Sequence, residues 1–251
     1  MPQPFLQVGP IRIYLYGVLI ALSLIFLYFY AKKNCKNHAI NPEKAEHALI
    51  FSLIFSVIGA RVYHILDNLS YYDQFPNEVF FVWQGGLGIF GAIIGAFIGI
   101  LLFSLLKKEK VSSLLNLLFP PLLLAQAIGR VGNFFNFEGF GPPTNLPWKY
   151  YVPVSERPPE YLSYSYFHPT FFYESLLCIL AYVIYKNLKK FSLFEKNGFA
   201  YYLVSYGVIR FFTEMLRIDT WKISQIYLAQ AISLAMIISG IFLLFGKKKK
   251  A

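Results

Sequence analysis

Apolar residues run along this chain in long blocks, separated by short stretches where lysines, prolines and other polar residues gather. A bilayer core about 30 Å thick is crossed by roughly 20 apolar residues in helical form. On that measure the pattern predicts seven membrane spans, at residues 13–30, 48–66, 87–106, 114–128, 170–185, 199–216 and 226–245. The fourth and fifth are short. The fourth also contains Pro120 and Pro121, which predict a kink or a break; in lipid this is tolerated only where neighbouring groups re-satisfy the freed backbone. In the third span Gly91, Gly95 and Gly99 recur every four residues, the small-residue spacing that lets two helix backbones approach closely. The expected fold class is therefore an all-α integral membrane protein of about seven transmembrane helices, with residues 1–251 as a single membrane-embedded domain.

Composition agrees with this pattern. The chain is 57% hydrophobic and 14% charged, against about 25% charged residues in soluble domains. The formal charge of +10 would suit a nucleic-acid binder, but its distribution points elsewhere. Lys32, Lys33, Lys36 and Lys44 separate spans one and two; Lys107, Lys108 and Lys110 separate three and four; Lys186, Lys189, Lys190 and Lys196 separate five and six; and four lysines end the chain at 247–250. All of these ends fall on one side, which marks it as cytoplasmic by the positive-inside rule. The N-terminus is then outside and the C-terminus inside. The first apolar run lacks a basic leader and a small-x-small cleavage site, so it is read as a retained helix rather than a signal peptide. Cys35 and Cys178 lie in unlike settings and suggest neither a disulfide framework nor a metal site. The largest external loop, roughly 129–169, holds seven aromatic residues from Trp148 to Phe167 and is expected to pack against the membrane face.

Ionisable side chains inside spans are costly and point to function. Arg130, Asn133, Asn136 and Glu138 cluster at the outer end of span four, between and just beyond Gly129 and Gly132. An arginine offers a planar fork of donors suited to phosphate, although an arginine near a span end can also simply reach for the interface. In span six, Tyr206, Arg210, Glu214 and Arg217 are spaced by four, four and three residues and share one helical face. That arrangement fits an Arg210–Glu214 ion pair joining helices, or a glutamate orienting Arg210 toward an anionic ligand. His168 and Pro169 stand before the fifth span, with Glu174 about one turn inside it; the histidine suits general acid–base work or a structural hydrogen bond. Arg61, Tyr63, His64 and Asn68 form a fourth cluster near the end of span two. Two arginines on separate spans suggest an anion held within the membrane, for which a phospholipid headgroup is the most available source. No hydrolase, nucleotide-binding or metal-binding pattern is present.

In their order along the chain, these motifs resemble the prolipoprotein diacylglyceryl transferases. The resemblance is carried by residues 129–138, extended through Gly141-Pro142-Pro143-Thr144-Asn145-Leu146-Pro147-Trp148, by residues 168–174, by Gly85-Gly86-Leu87-Gly88-Ile89-Phe90-Gly91 and by residues 206–217. It implies a seven-helix enzyme of the bacterial plasma (inner) membrane with an external headgroup region and no cofactor or metal. Its reaction moves the diacylglyceryl group of phosphatidylglycerol to the lipobox cysteine of a prolipoprotein signal peptide, giving a thioether and glycerol phosphate. The implied partners are these two substrates and the surrounding membrane lipids, not nucleic acid. By matching position, Arg130, Asn133, Glu138 and Tyr16 would bind phosphatidylglycerol, and Arg210 and Glu214 would be catalytic, with His168 as a further catalytic candidate. Three positions depart from the family pattern. Phe90 stands where His or Tyr is usual, Asn116 replaces an aspartate, and Phe171 stands where glutamine is frequent. Because a phenyl ring cannot take a proton, either His64 or His168 deprotonates the thiol or the arginines lower its pKa. The competing readings are a phospholipid-binding paralogue with lost or altered activity, and an anion transporter.

Overall fold

In the computed structural model, residues 5–8, 11–82, 85–218, 222–223 and 226–246 are described. The lysines at 247–250, on which part of the expected orientation rests, lie outside them. A hairpin of β1 (Phe5–Val8) and β2 (Ile11–Tyr14) precedes α1 (Leu15–Asn34), followed by α2 (Pro42–Asp67), the one-turn α3 (Leu69–Tyr72), α4 (Ile89–Lys107), α5 (Val111–Leu118) and α6 (Leu122–Asn136). The short strands β3 (Tyr150–Tyr151) and β4 (Tyr166–Phe167) come next, then α7 (Thr170–Leu188), α8 (Ser192–Lys196) and α9 (Gly198–Met215). A second small hairpin, β5 (Lys222–Ile223) and β6 (Ile226–Tyr227), leads into α10 (Leu228–Phe245).

Among the described residues, five helices are long and apolar enough to cross a membrane: Leu15–His38, Pro42–Asp67, Phe90–Lys107, Thr170–Leu188 and Leu228–Phe245. The pair α5 and α6 makes a sixth if it is counted as one broken span. Its break falls at Phe119-Pro120-Pro121, where the two prolines remove consecutive backbone donors. The α9 helix has the expected length, but Arg210, Glu214 and three tyrosines keep it outside the strongly apolar set. The protein is thus an all-α, multi-span helical bundle, and its only strands are the three short hairpins among the described residues.

The chain divides into two compact units, residues 28–118 and residues 1–27 with 119–251. In the first, α2 and α4 are pressed together along a glycine seam, as the four-residue glycine spacing predicts. A side chain at Gly91 would strike the Gly59 carbonyl, one at Gly95 the Phe55 carbonyl, and one at Gly99 the Phe51 carbonyl. At one end of this seam the buried Arg61 is wrapped by backbone carbonyls. Its Nε donates to Val79 (2.9 Å), its Nη1 to Gly85 (2.8 Å) and Gly86 (3.1 Å), and its Nη2 to Glu78. Gly85 and Gly86 both have positive φ, so the turn that Arg61 holds needs residues without a Cβ. Of the expected cluster of Arg61, Tyr63, His64 and Asn68, Arg61 holds this turn and the His64 ring lies against Gly86, whereas Asn68 donates to the His64 carbonyl at 2.9 Å at the end of α2.

In the second unit the loop expected to be external is shorter than the sequence suggests, because residues 129–136 belong to α6. Phe137 ends that helix in the left-handed region, and Gly139 continues the turn at a φ of 67°. From there the loop is stitched to the head of α7. Phe171 N–H donates to the Gly139 carbonyl (3.0 Å), as does the Thr170 hydroxyl, while Gly141 N–H donates to the His168 carbonyl (2.8 Å). The loop aromatics build their own core of Phe140, Tyr150, Val152, Phe167 and Phe171. The strand alternation explains this: Tyr150 and Phe167 are paired and face inward, whereas Tyr151 and Tyr166 face outward.

Candidate active site

Three helices of the second unit bring charged side chains to one place. The α6 and α7 helices are tied by the Ser175 hydroxyl, which donates to the Ala127 carbonyl at 2.9 Å, and α7 and α9 by the Tyr201 hydroxyl on the Ala181 carbonyl at 2.7 Å. Between these ties sits Glu174, with 1% of its side chain exposed. Oε1 meets Arg130 Nη2 at 2.9 Å and Oε2 meets Arg210 Nη1 at 3.2 Å. The Tyr206 hydroxyl donates to Oε1 at 3.1 Å. Arg210 Nη2 then reaches Glu214 Oε2, one turn along α9, at 2.5 Å. A single buried carboxylate cannot hold its charge in an apolar interior, but one that meets two guanidiniums and a phenol can.

The network continues from Arg130. Its Nη1 donates to Asn133 Oδ1 and Asn133 Nδ2 to Glu138 Oε2, both at 3.4 Å. Tyr16 lies against the same helix, and a side chain at Gly132 would collide with its ring. Of the seven expected site residues, Arg130, Asn133, Glu138, Arg210 and Glu214 are thus joined in one polar chain, and Tyr16 contacts its helix. His168 is placed elsewhere. Its Nδ1 lies 3.2 Å from the Tyr173 hydroxyl, which accepts a hydrogen bond from Trp148 Nε1 at 2.8 Å.

The centre of the network is the residue to which the sequence reading gave no role. In the sequence Glu174 stands out only as an acid one turn inside an apolar helix. That anomaly was the available signal, but its partners lie on other helices. Arg210 and Glu174 are 36 positions apart, too far for any periodicity to reveal. Gln126 and Tyr202 were likewise unmarked; Gln126 Nε2 donates to the Tyr202 hydroxyl at 2.9 Å.

Chemically, two arginines part-exposed at 23% and 18%, backed by two buried carboxylates, present oriented guanidinium donors of the kind that suit an anion. Among the described residues no group of three or more His, Cys, Asp or Glu side chains is placed to hold a metal. These features define a class: a multi-span helical membrane protein with two arginines and two buried carboxylates joined among its helices. A family model described as prolipoprotein diacylglyceryl transferase matches residues 3–246. The phosphatidylglycerol–prolipoprotein diacylglyceryl transferase of Nostoc sp. is 39% identical, covering 99% of this chain and 91% of its own. The proteins of the same name from Prochlorococcus marinus and Thermotoga maritima are 38% and 39% identical, covering 97% and 93% of this chain and 91% and 80% of theirs. The chain belongs to the prolipoprotein diacylglyceryl transferase family.

Proposed function

We propose that Arg130 and Arg210 clamp the phosphate of phosphatidylglycerol while the lipobox cysteine of a prolipoprotein signal peptide attacks the adjoining glyceryl carbon. The enzyme is a diacylglyceryl transferase acting from phosphatidylglycerol to the prolipoprotein cysteine. In the step the thiol releases its proton to water, a bond forms between the sulfur and the diacylglyceryl carbon, and that carbon's bond to the phosphate oxygen breaks. The electron pair leaves with glycerol phosphate. Negative charge grows on the phosphate, and donors already aimed at it stabilise the transition state without reorganising. Glu174 and Glu214 orient the two guanidiniums. Asn133 and Glu138 extend the polar contact on the lipid side, and Tyr16 lines it against Gly132.

We assign ionisation of the thiol to the field of the arginines, which lowers a cysteine's pKa. His168, hydrogen-bonded to Tyr173, is the remaining candidate acceptor and is tested below. Phe90, at the head of α4, cannot fill that role.

For the membrane arrangement we propose seven passes: the five apolar helices, the broken α5/α6 pair and α9. The N-terminus is outside and the C-terminus cytoplasmic in the bacterial inner membrane. The lysine-rich ends of α1, α4 and α7 support this orientation. Residues 1–251 act as one membrane-embedded transferase domain, a reading supported by a family match over nearly the whole chain.

The observation that carries the assignment is the meeting of Arg130 and Arg210 on one carboxylate. The test is mass spectrometry of a lipobox peptide incubated with the protein and phosphatidylglycerol. A mass increase of one diacylglyceryl group is expected with the wild type and none with Arg130→Ala. Full activity in Arg130→Ala would overturn the phosphate clamp.

A further inference from the structure

One turn before Arg130, on the same face of α6, stands Gln126. The nitrogen end of its amide is committed, since it donates to the Tyr202 hydroxyl at 2.9 Å. The Tyr202 ring is buried and stacked on that of Tyr206, with centroids 5.7 Å apart and planes 14° from parallel. Tyr206 in turn donates to Glu174. The amide is therefore held in register with the anion site. Its other end, Oε1, is buried without a hydrogen-bond partner. Such an acceptor is complementary to an O–H or N–H donor, and leaving it unmatched is costly.

This inference rests on the phosphate position proposed above. Side chains four residues apart on a helix are about 5–6 Å apart, so a group bonded to a phosphate at Arg130 comes within reach of Gln126. Phosphatidylglycerol has two such groups. Its diacylglyceryl side carries ester oxygens, which only accept; its headgroup glycerol carries two hydroxyls, which donate. We propose that Gln126 Oε1 accepts a hydrogen bond from a headgroup hydroxyl and so selects a polyol headgroup. Gln126 is then a specificity-determining residue that grips the part of the lipid destined to leave as glycerol phosphate.

The experiment compares two lipids, phosphatidylglycerol and phosphatidylpropanol, the latter matching the headgroup in size but lacking both hydroxyls. For the wild type, kcat/KM is expected to favour phosphatidylglycerol roughly tenfold to a hundredfold, the range for a buried acceptor left unpaired. In Gln126→Leu, and in the nearly isosteric Gln126→Met, that preference is expected to collapse toward one. A wild-type enzyme that uses both lipids equally would refute the proposal before any variant is made. Equal losses on both lipids in the variants would also refute it, since that is the mark of a purely structural amide. Arg130→Ala separates the underlying reading, because it acts on the phosphate that both lipids share. Its full activity would dismiss the clamp, whereas its inactivity on both lipids beside an unchanged preference in the Gln126 variants would dismiss the headgroup contact alone.

Discussion

The α2/α4 seam and the α6/α7/α9 junction solve the same problem, joining helices inside a membrane, by opposite means. The first removes side chains until backbones touch, through Gly59, Gly91, Gly95 and Gly99. The second inserts the most polar side chains available and lets them satisfy one another. A glycine seam relies on van der Waals contact and offers a ligand nothing to bind. An ionic junction is a poor way to gain stability, because desolvation offsets much of the attraction. On the proposed function, its presence marks the place where chemistry, not cohesion, sets the residues.

The contrast can be broken at its strongest point by Arg130→Ala or Arg210→Ala. Either is expected to lower diacylglyceryl transfer by about a hundredfold to a thousandfold, the usual effect of deleting one transition-state donor; quantitative mass spectrometry of the peptide measures it. Next comes Glu174→Gln, which strips both arginines of a shared partner. Breaking a buried pair costs about 3–5 kcal/mol, so a large fall in melting temperature is expected together with loss of transfer. Glu214→Gln removes one contact and is expected to do less on both counts. If the two variants behaved alike, Glu174 would not be the hub.

On the glycine side, Gly95→Ala is expected to destabilise the protein by about 1–3 kcal/mol through overpacking against the Phe55 carbonyl. Detergent-solubilised thermal unfolding measures it, and an unchanged midpoint would show that the seam yields easily. His168→Asn is expected to reduce transfer only a few-fold and leave the pH profile of kcat/KM unmoved, because the ring's visible partner is Tyr173. Loss of an ionisation from that profile would instead make His168 the thiol's base. The smallest effect expected is that of Tyr150→Phe, about 1 kcal/mol. It removes a hydroxyl that donates to the Phe134 carbonyl at 2.6 Å. Burial pushes the Tyr150 phenol's pKa up. Its contribution is therefore complete below the ordinary tyrosine range and lost as pH rises from there toward the folded value; a wild-type-minus-variant stability difference that shrinks in strong alkali checks the sign.

Much of the fold was legible because its cause is local. Apolar run length located five of the seven expected spans to within a few residues, but α2 begins earlier, at Pro42, and α6 runs on to Asn136, well past the expected end at 128. Pro120 and Pro121 announced the break, and the four-residue glycine spacing announced the close contact. The α9 face was legible for the same reason, since Tyr206, Arg210 and Glu214 are neighbours on one helix, although Arg217, expected on the same face, lies past the helix end at Met215. Pairings between helices leave no such trace. Nothing near Glu174 in the sequence points to Arg130 or Arg210, and nothing near Arg61 points to the four carbonyls around it. The paired strands β3 and β4 are too short, at two residues each, for an alternating pattern to register.

Glu174 also bears on turnover. Both cations at the junction are already balanced by Glu174 and Glu214, so an arriving anion must share them instead of claiming them outright. Substrate phosphate carries one negative charge and the departing monoester nearly two at neutral pH. With the phosphate clamped as proposed, the resident carboxylates would repel the second more than the first, which would loosen the hold on glycerol phosphate once the carbon–oxygen bond is gone and clear the way for the next lipid.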